Sequence, residues 1–241
     1  MVLGACSSPT PDGPGSSAAS PQLTGTLTVL AAASLTESFT AIGAAYEKAH
    51  PGVKVALSFS ASSTIVQQVN GGAPAQLIAL AGQDAAKPLK PELSKGSTDI
   101  AVNVLEIAVP PANPGKVTAL SDLSRPDLKV VVCAPQVPCG AAGDAMLKQA
   151  GITPNIVSRE ADVKATLTKV RLGEADAGIV YHSDIATSKG SVVGVAVPTE
   201  VNQRLTYPLI RLDDSALARD FAVYVGTAGR DALAAAGFQA P

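Results

Sequence analysis

The stretch that decides the fold is TLTVLAAASLTESFTAIGAAYEKAHPGVKVALSF, residues 26–59. Its first six residues, Thr26–Ala31, are rich in the apolar and β-branched residues that favour a strand. Along Leu35–His50 the apolar residues recur at the spacing of an amphipathic helix. Pro51-Gly52 ends that helix, and Val53–Phe59 alternates as a second strand. The stretch therefore predicts a strand, a helix and another strand in succession.

The same alternation continues along the rest of the chain. Further strands are predicted at residues 77–81, 100–109, 130–133, 156–159, 177–181, 192–197 and 207–212, and helices at 64–70, 141–150, 163–172, 215–225 and 229–236. Strands that alternate with helices are typical of α/β proteins with parallel sheets. The sequence therefore predicts an α/β fold built on parallel strands.

The composition excludes several classes of protein. The chain has 241 residues, 46% of them hydrophobic, and a net charge of −2. Its Lys and Arg residues are spread without a basic stripe, so we expect no nucleic-acid partner. No apolar run approaches the roughly 20 residues that span a bilayer. We therefore expect the body of the chain to lie outside the membrane.

The N-terminal residues differ from this body. Residues 7–22, SSPTPDGPGSSAASPQ, have the Ser, Pro, Gly and Ala content that predicts a flexible tether. The preceding Leu3-Gly4-Ala5-Cys6 resembles the lipobox of bacterial lipoproteins, in which the cysteine is lipidated. The resemblance implies that residues 1–22 hold the chain on the outer side of a membrane through lipid on Cys6. The alternative is a chance cysteine in a tail.

The two remaining cysteines lie close together in the sequence. Cys133 and Cys139 bracket a short loop, which a disulfide could close in an oxidising compartment. Two buried free thiols are an equal alternative. The spacing does not suggest a zinc site, because neither His50 nor His182 lies near a second pair of ligands.

Small and hydroxyl residues mark four turns that lead from a strand into a helix. These turns are Ala31–Glu37, Phe59–Thr64, Pro138–Ala141 and Glu160–Val163. In the first, Ser34 occupies a predicted helix-cap position with Glu37 three residues on, as an imperfect capping box. Ligands of α/β folds lie where such turns converge, and helix N-termini favour anions. Each turn taken alone has ordinary capping as its alternative explanation.

Three of the segments carry a family resemblance. VLAAASLTESF at 29–39, VALSFSASSTIVQQVNGGAPA at 55–75 and GIVYHSD at 178–184 resemble signature stretches of periplasmic molybdate-binding proteins, the capture subunits of molybdate ABC transporters. The resemblance extends from Leu23 to Phe238. It implies a two-lobed type II periplasmic binding protein with a cleft between the lobes.

The resemblance also implies the division of the chain. Residues 23–104 and 203–241 would form the first lobe and residues 105–202 the second. Two crossover segments, near residues 102–109 and 197–207, would join the lobes.

The ligand residues of the family correspond to five positions. The resemblance implies a hydroxyl and a backbone N–H from Ser34 and Ser62, the backbone N–H of Cys139 and Val163, and the phenol of Tyr181. The family usually has a small residue such as Ala where Cys139 stands. The family's Asp and Ser residues are also missing from 75–82, which puts contacts from that segment in doubt.

A donor-only site suits a permanently dianionic oxyanion such as molybdate, tungstate or sulfate. Phosphate keeps a proton near neutral pH and would require an acceptor. We therefore expect an extracytoplasmic monomer without a cofactor that binds molybdate or tungstate and delivers it to an ABC transporter permease. It would meet the membrane only through Cys6. The alternatives are a binder of sulfate or another tetrahedral oxyanion, a ligand-sensing domain, and a hydrolase that uses Cys139 or Tyr181.

Overall fold

The computed structural model describes Met1 and residues 23–241. Cys6 and the predicted tether lie outside the described residues. Within the described part of the chain, no helix is both long enough and apolar enough to cross a membrane.

The decisive stretch folds as a parallel unit. Strand β1 (Gly25–Ala32) leads into helix α1 (Thr36–Ala49), which returns to strand β2 (Val53–Ser60). The two strands pair in parallel from Gly25–Val53 to Ala32–Ser60. The apolar face of α1 packs against them and buries side chains such as Phe39 and Ile42. The predicted succession of strand, helix and strand is confirmed.

The other elements follow the predicted alternation. They are α2 (Ser62–Asn70), β3 (Leu77–Ala79), β4 (Ser97–Val109), β5 (Val130–Cys133), α3 (Pro138–Ala150), β6 (Ile156–Glu160), α4 (Val163–Arg171), β7 (Ala177–Tyr181), α5 (His182–Ala186), β8 (Val193–Ala196), β9 (Arg204–Arg211), α6 (Ala216–Gly226) and α7 (Arg230–Ala235). Each predicted strand and helix has a counterpart here.

The prediction of parallel sheets is wrong for the middle of the molecule. The strand order is β2-β1-β3-β9-β4-β7-β5-β6, and β8 also pairs with β4. Strand β9 runs antiparallel to both β3 and β4, and β4 runs antiparallel to β7 and β8. The sheet is mixed because a strand from the C-terminal part of the chain inserts between two early ones. The alternation of strands and helices does not encode such an insertion.

Strand β4 belongs to two parts of this sheet. Its segment Ser97–Val104 pairs with β9, and its segment Leu105–Val109 pairs with β7 and β8. On one side lies the first lobe, which contains β1, β2, β3 and β9. On the other lies the second lobe, which contains β5, β6, β7 and β8. The α/β fold has the two-lobed organisation of a type II binding protein, and its helix-lined cleft lies between the lobes.

Candidate functional site

One small cavity between the lobes brings together all five predicted ligand residues. Its volume is ≈ 20 Å³. It is lined by Ala32, Ala33, Ser34, Ser60, Ala61, Ser62, Ala81, Val137, Pro138, Cys139, Asp162, Val163 and Tyr181. We call Ser34 and Ser62, from the first lobe, the first wall. We call Cys139, Val163 and Tyr181, from the second lobe, the second wall. A ligand in this cavity would contact both lobes.

The backbone supplies much of the chemistry of these walls. Ser62 and Val163 are the first residues of α2 and α4, and Cys139 is the second residue of α3. Ser34 lies in a 3₁₀ turn, Ala33–Leu35, directly before α1. First-turn N–H groups have no acceptor within their own helix, and the helix dipole places partial positive charge there. Four such ends converge on one cavity, which makes it suitable for an anion.

The Ser62 hydroxyl is held in place by the neighbouring strand. Its Oγ accepts a hydrogen bond from the backbone N–H of Ala81 at 2.9 Å, and the serine is buried. Because this bond uses a lone pair, the hydroxyl hydrogen stays available for a ligand. Segment 75–82 therefore reaches the site through Ala81, although the acids and serine of the family are missing there.

The prediction that Ser34 caps a helix is wrong. Helix α1 begins after the 3₁₀ turn, so that Leu35 occupies its N-cap position, and no side chain caps it. The Ser34 hydroxyl instead hydrogen-bonds the Tyr207 hydroxyl at 3.0 Å. Asn103 Nδ2 donates to the Tyr207 hydroxyl at 3.5 Å and to Ser183 Oγ at 2.7 Å. A buried polar network thus runs from the first wall to the second lobe.

The Tyr181 phenol is the least satisfied polar group at the cavity. The residue is 1% exposed, and its hydroxyl has no hydrogen-bond partner among the described residues. Burial, together with the neighbouring Tyr207 and Asp184, raises the pKa of Tyr181 well above its usual range. The phenol therefore stays protonated at neutral pH. A buried hydroxyl without a partner is costly, so this donor suits a ligand acceptor.

The two cysteines are joined across the loop that leads into α3. Cys133 at the end of β5 and Cys139 form a disulfide with a Cα–Cα distance of 5.7 Å. The Cys139 sulfur is therefore not a free nucleophile, which argues against the hydrolase alternative at this residue. Its backbone N–H is unaffected, because the crosslink involves only the side chain.

The two histidines are paired away from the cavity. His50 Nε2 lies 3.6 Å from Asp220, and His182 Nδ1 lies 2.6 Å from Glu106. Neither histidine lines the cavity. The described residues contain no group of three or more His, Cys, Asp or Glu side chains that could hold a metal ion.

One carboxylate residue lines the cavity, Asp162. It is the N-cap of α4, and its Oδ1 accepts from the Ala165 backbone N–H at 2.9 Å. The carboxylate thus caps its own helix. Sequence reasoning did not place Asp162 among the ligand residues, although it recognised the turn that contains it.

A wider cleft of ≈ 680 Å³ adjoins the cavity and shares Ala81, Val137 and Pro138 with it. Its lining is mostly apolar groups and side-chain amides, among them Gln67 and Gln136. Arg204 also lines this cleft, and its guanidinium donates to Gln239 at 2.9 Å. The helix N-termini converge on the small cavity, which is therefore the candidate site.

Sequence reasoning did not predict the contacts that support the site. Tyr207 hydrogen-bonds Ser34 of the first wall, Asn103 donates to Tyr207, and Lys164 joins α4 to α1 through Glu37. Asn103 had a signal, since it and Glu106 are the two polar residues in the otherwise apolar run Ile100–Val109. The others had none, because their partners are distant in the sequence.

Comparisons with known proteins agree with this geometry. The family of bacterial extracellular solute-binding proteins matches residues 27–239. The molybdate-binding protein ModA of Mycobacterium tuberculosis is 39% identical over 246 residues, covering 99% of this chain and 93% of its own length.

Two solved structures share the fold. The periplasmic molybdate-binding protein of Azotobacter vinelandii has a TM-score of 0.79 at 20% identity, covering 89% of this chain and 99% of its own. The sulfate-binding protein SubI of Mycobacterium tuberculosis has a TM-score of 0.77 at 20% identity, covering 89% and 86%. The chain therefore belongs to the family of bacterial extracellular solute-binding proteins, among the relatives of the molybdate-binding protein ModA.

Proposed function

We propose that this protein captures molybdate outside the cytoplasm and delivers it to the permease of an ABC transporter. The observation that carries the proposal is the convergence of Ser34, Ser62, Cys139, Val163 and Tyr181 around one cavity. ModA of Mycobacterium tuberculosis, a relative of nearly full length, is a molybdate-binding protein. In this role the protein binds and releases its ligand unchanged and is not an enzyme.

The charge of molybdate fits this set of donors. Molybdate is a dianion with four acceptor oxygens and no proton to donate. Two hydroxyls, four N–H groups and one phenol make seven donors for it, each at a helix end or in a buried position. A hydrogen bond to a charged group contributes roughly 1.5–3 kcal/mol, so the set supports tight binding after the costs of ordering and closure.

Isothermal titration of the purified protein tests this proposal. Molybdate is expected to bind one-to-one without an added metal. Phosphate carries a proton that requires an acceptor, and the Asp162 carboxylate is already engaged as the cap of α4. Phosphate should therefore bind at least about a hundredfold more weakly. Equal affinity for sulfate and molybdate would refute the assignment to molybdate. If molybdate, tungstate, sulfate and phosphate all fail to bind, the proposal of oxyanion capture is refuted altogether.

Sulfate is the second candidate ligand. It carries the same charge and shape as molybdate and requires only donors. Its support is the shared fold of the sulfate-binding protein SubI. Molybdate and tungstate are the larger ions, so the width of the closed cavity separates these candidates. The titration above includes all of them.

We further propose that the lobes divide at residues 104/105 and 202/203 and close around the ligand. The exchange of strand partners within β4, between Val104 and Leu105, supports the first boundary. Small-angle scattering should show a smaller radius of gyration with molybdate than without it. Equal radii would contradict closure.

Lipid attachment at Cys6 is the proposed route to the membrane, and the protein would otherwise act as a monomer. The Leu3–Cys6 sequence supports the lipid site. Expression of Cys6→Ala beside the native sequence tests it, because the variant should leave the membrane fraction. Light scattering on the purified protein measures the oligomeric state.

A further inference from the structure

Lys164 connects the two lobes beside the cavity. It is the second residue of α4 in the second lobe, and its Nζ lies 2.9 and 2.8 Å from the two carboxylate oxygens of Glu37 on α1. The same Nζ lies 3.0 Å from Oδ1 of Asp184 on α5. One ammonium group therefore pairs with a carboxylate from each lobe.

Each member of this cluster is close in sequence to a wall residue. Lys164 directly follows Val163, and Glu37 lies one helical turn after Ser34. Asp184 accepts the backbone N–H of Tyr181 through Oδ2 at 3.1 Å. A change in the position of Lys164 would therefore be transmitted to both walls through short covalent and hydrogen-bonded links.

The three side chains differ in how deeply they are buried. The side chain of Asp184 is 0% exposed, that of Lys164 26% and that of Glu37 43%. Burial lowers the pKa of Lys164, but the two carboxylates outweigh this and raise the pKa above its usual value. The ammonium therefore stays charged and balances the buried Asp184. Without it, the buried Asp184 carboxylate would be left unpaired beside Tyr181, a residue of the second wall.

We propose that Lys164 is a positioning residue that fastens the closed lobes through Glu37 and so slows the release of the oxyanion. This inference rests on the proposed function. The Asp184 pair lies within the second lobe and persists when the lobes separate. The Glu37 pair spans the cleft and forms only on closure. Closure of the lobes partly removes the Lys164 and Glu37 charges from water, which opposes closure. It also forms the Glu37–Lys164 ion pair, which favours closure.

The sign of the effect separates this role from simple electrostatics. Glu37 is an anion close to the site of a dianion, so its neutralisation should tighten binding if Coulomb repulsion alone acts. If the Glu37–Lys164 pair holds the lobes closed, neutralisation should instead loosen binding. The two explanations predict opposite changes in the same variant.

The test compares Glu37→Gln with Glu174→Gln. Both variants lose one negative charge, but Glu174 pairs with Lys169 within the second lobe only. Stopped-flow displacement of bound molybdate, monitored by tyrosine fluorescence, gives the release rate. Titration gives the affinity. Glu37→Gln should release molybdate roughly fivefold faster with a nearly unchanged association rate. Glu174→Gln should match the native protein.

A variant without the Lys164 ammonium tests whether Lys164 is responsible for the change in release rate. Lys164→Met alone would leave Asp184 buried and unpaired, which destabilises the fold, so Lys164→Met is combined with Asp184→Asn. In that background Glu37 has no cation to meet, and adding Glu37→Gln should not accelerate release further. Continued acceleration would contradict a role for Lys164.

The outcomes separate a failure of this inference from a failure of the proposed function on which it rests. If the native protein binds molybdate and Glu37→Gln releases it at the native rate or more slowly, only the inference is overturned. If the native protein binds none of the four oxyanions, the proposed function is overturned and the inference with it.

Discussion

The two walls of the cavity use different parts of the chain to present donors. The first wall offers serine hydroxyls in addition to backbone N–H groups, and Ala81 and Tyr207 hold those hydroxyls in place. Two of the three residues of the second wall, Cys139 and Val163, offer only their backbone. The first wall thus depends on residue identity and the second mainly on where helices begin. The same substitution should therefore have different effects on the two sides.

The largest effect should follow the loss of side-chain donors on both walls at once. Ser34→Ala with Tyr181→Phe removes two of the predicted bonds to the anion, each worth roughly 1.5–3 kcal/mol. Titration should show molybdate bound more than about a hundredfold more weakly. Ser94→Ala with Tyr224→Phe, which makes the same chemical change away from the cavity, is the control and should bind normally. An unchanged affinity in the first pair would remove both residues from the site.

The next effect isolates a backbone donor. Val163→Pro deletes the N–H at the first position of α4, where a helix tolerates proline, and Asp162 before it already has the extended backbone that proline requires (φ −157°, ψ 175°). Molybdate affinity should fall about ten- to a hundredfold. Val163→Ala keeps the N–H and should bind within about threefold of the native protein. Equal losses in the two variants would mean that the side chain acts.

A smaller effect is expected from the crosslink of the second wall. Cys133→Ala with Cys139→Ala keeps every backbone donor but frees the loop that leads into α3. Affinity should fall less than about tenfold, because only the ordering of the loop is lost. The crosslink closes a short loop, with a sequence separation of 6, so the free energy of unfolding should decrease by about 2 kcal/mol. Thermal unfolding should show this decrease as a lower Tm in the double variant. An affinity loss as large as that of Val163→Pro would mean that the disulfide itself places Cys139 N–H.

The smallest effect should come from alkaline pH. A phenolate could not donate a hydrogen bond and would repel a dianion, so affinity should fall as the pH rises through the pKa of Tyr181. Burial raises this pKa well above its usual value of about 10. Molybdate affinity should therefore stay essentially unchanged from pH 7 to pH 10. A loss of about twofold at pH 10, growing about tenfold with each further pH unit, would indicate an ordinary, exposed phenol.

Sequence patterns correctly predicted the features that depend on residues close together in the chain. The strand and helix of residues 26–49 follow from periodicity, and the small residues at helix starts indicated the anion-friendly turns around Ser62 and Val163. The five ligand positions came from family resemblance, and the structure places them together. Whether they bind the oxyanion stays a prediction. Periodicity alone could not have selected them, since most helix starts are ordinary caps.

The missed features all depend on distant partners. The antiparallel insertion of β9 leaves no trace in the alternation of its own residues. Ser34 bonds Tyr207, which is 173 residues away, instead of capping its helix. Lys164 meets Glu37 across 127 residues. Such contacts are set by tertiary packing, which overrides local capping preferences.

The position of β9 has a consequence for the order of folding. Residues 204–211 lie between β3 and β4, although they come near the end of the chain. The early strands therefore cannot complete their sheet until almost the whole polypeptide has been made. Pairings over so many residues form slowly, because loop closure must precede them. The first lobe should therefore remain incompletely folded until this last strand arrives.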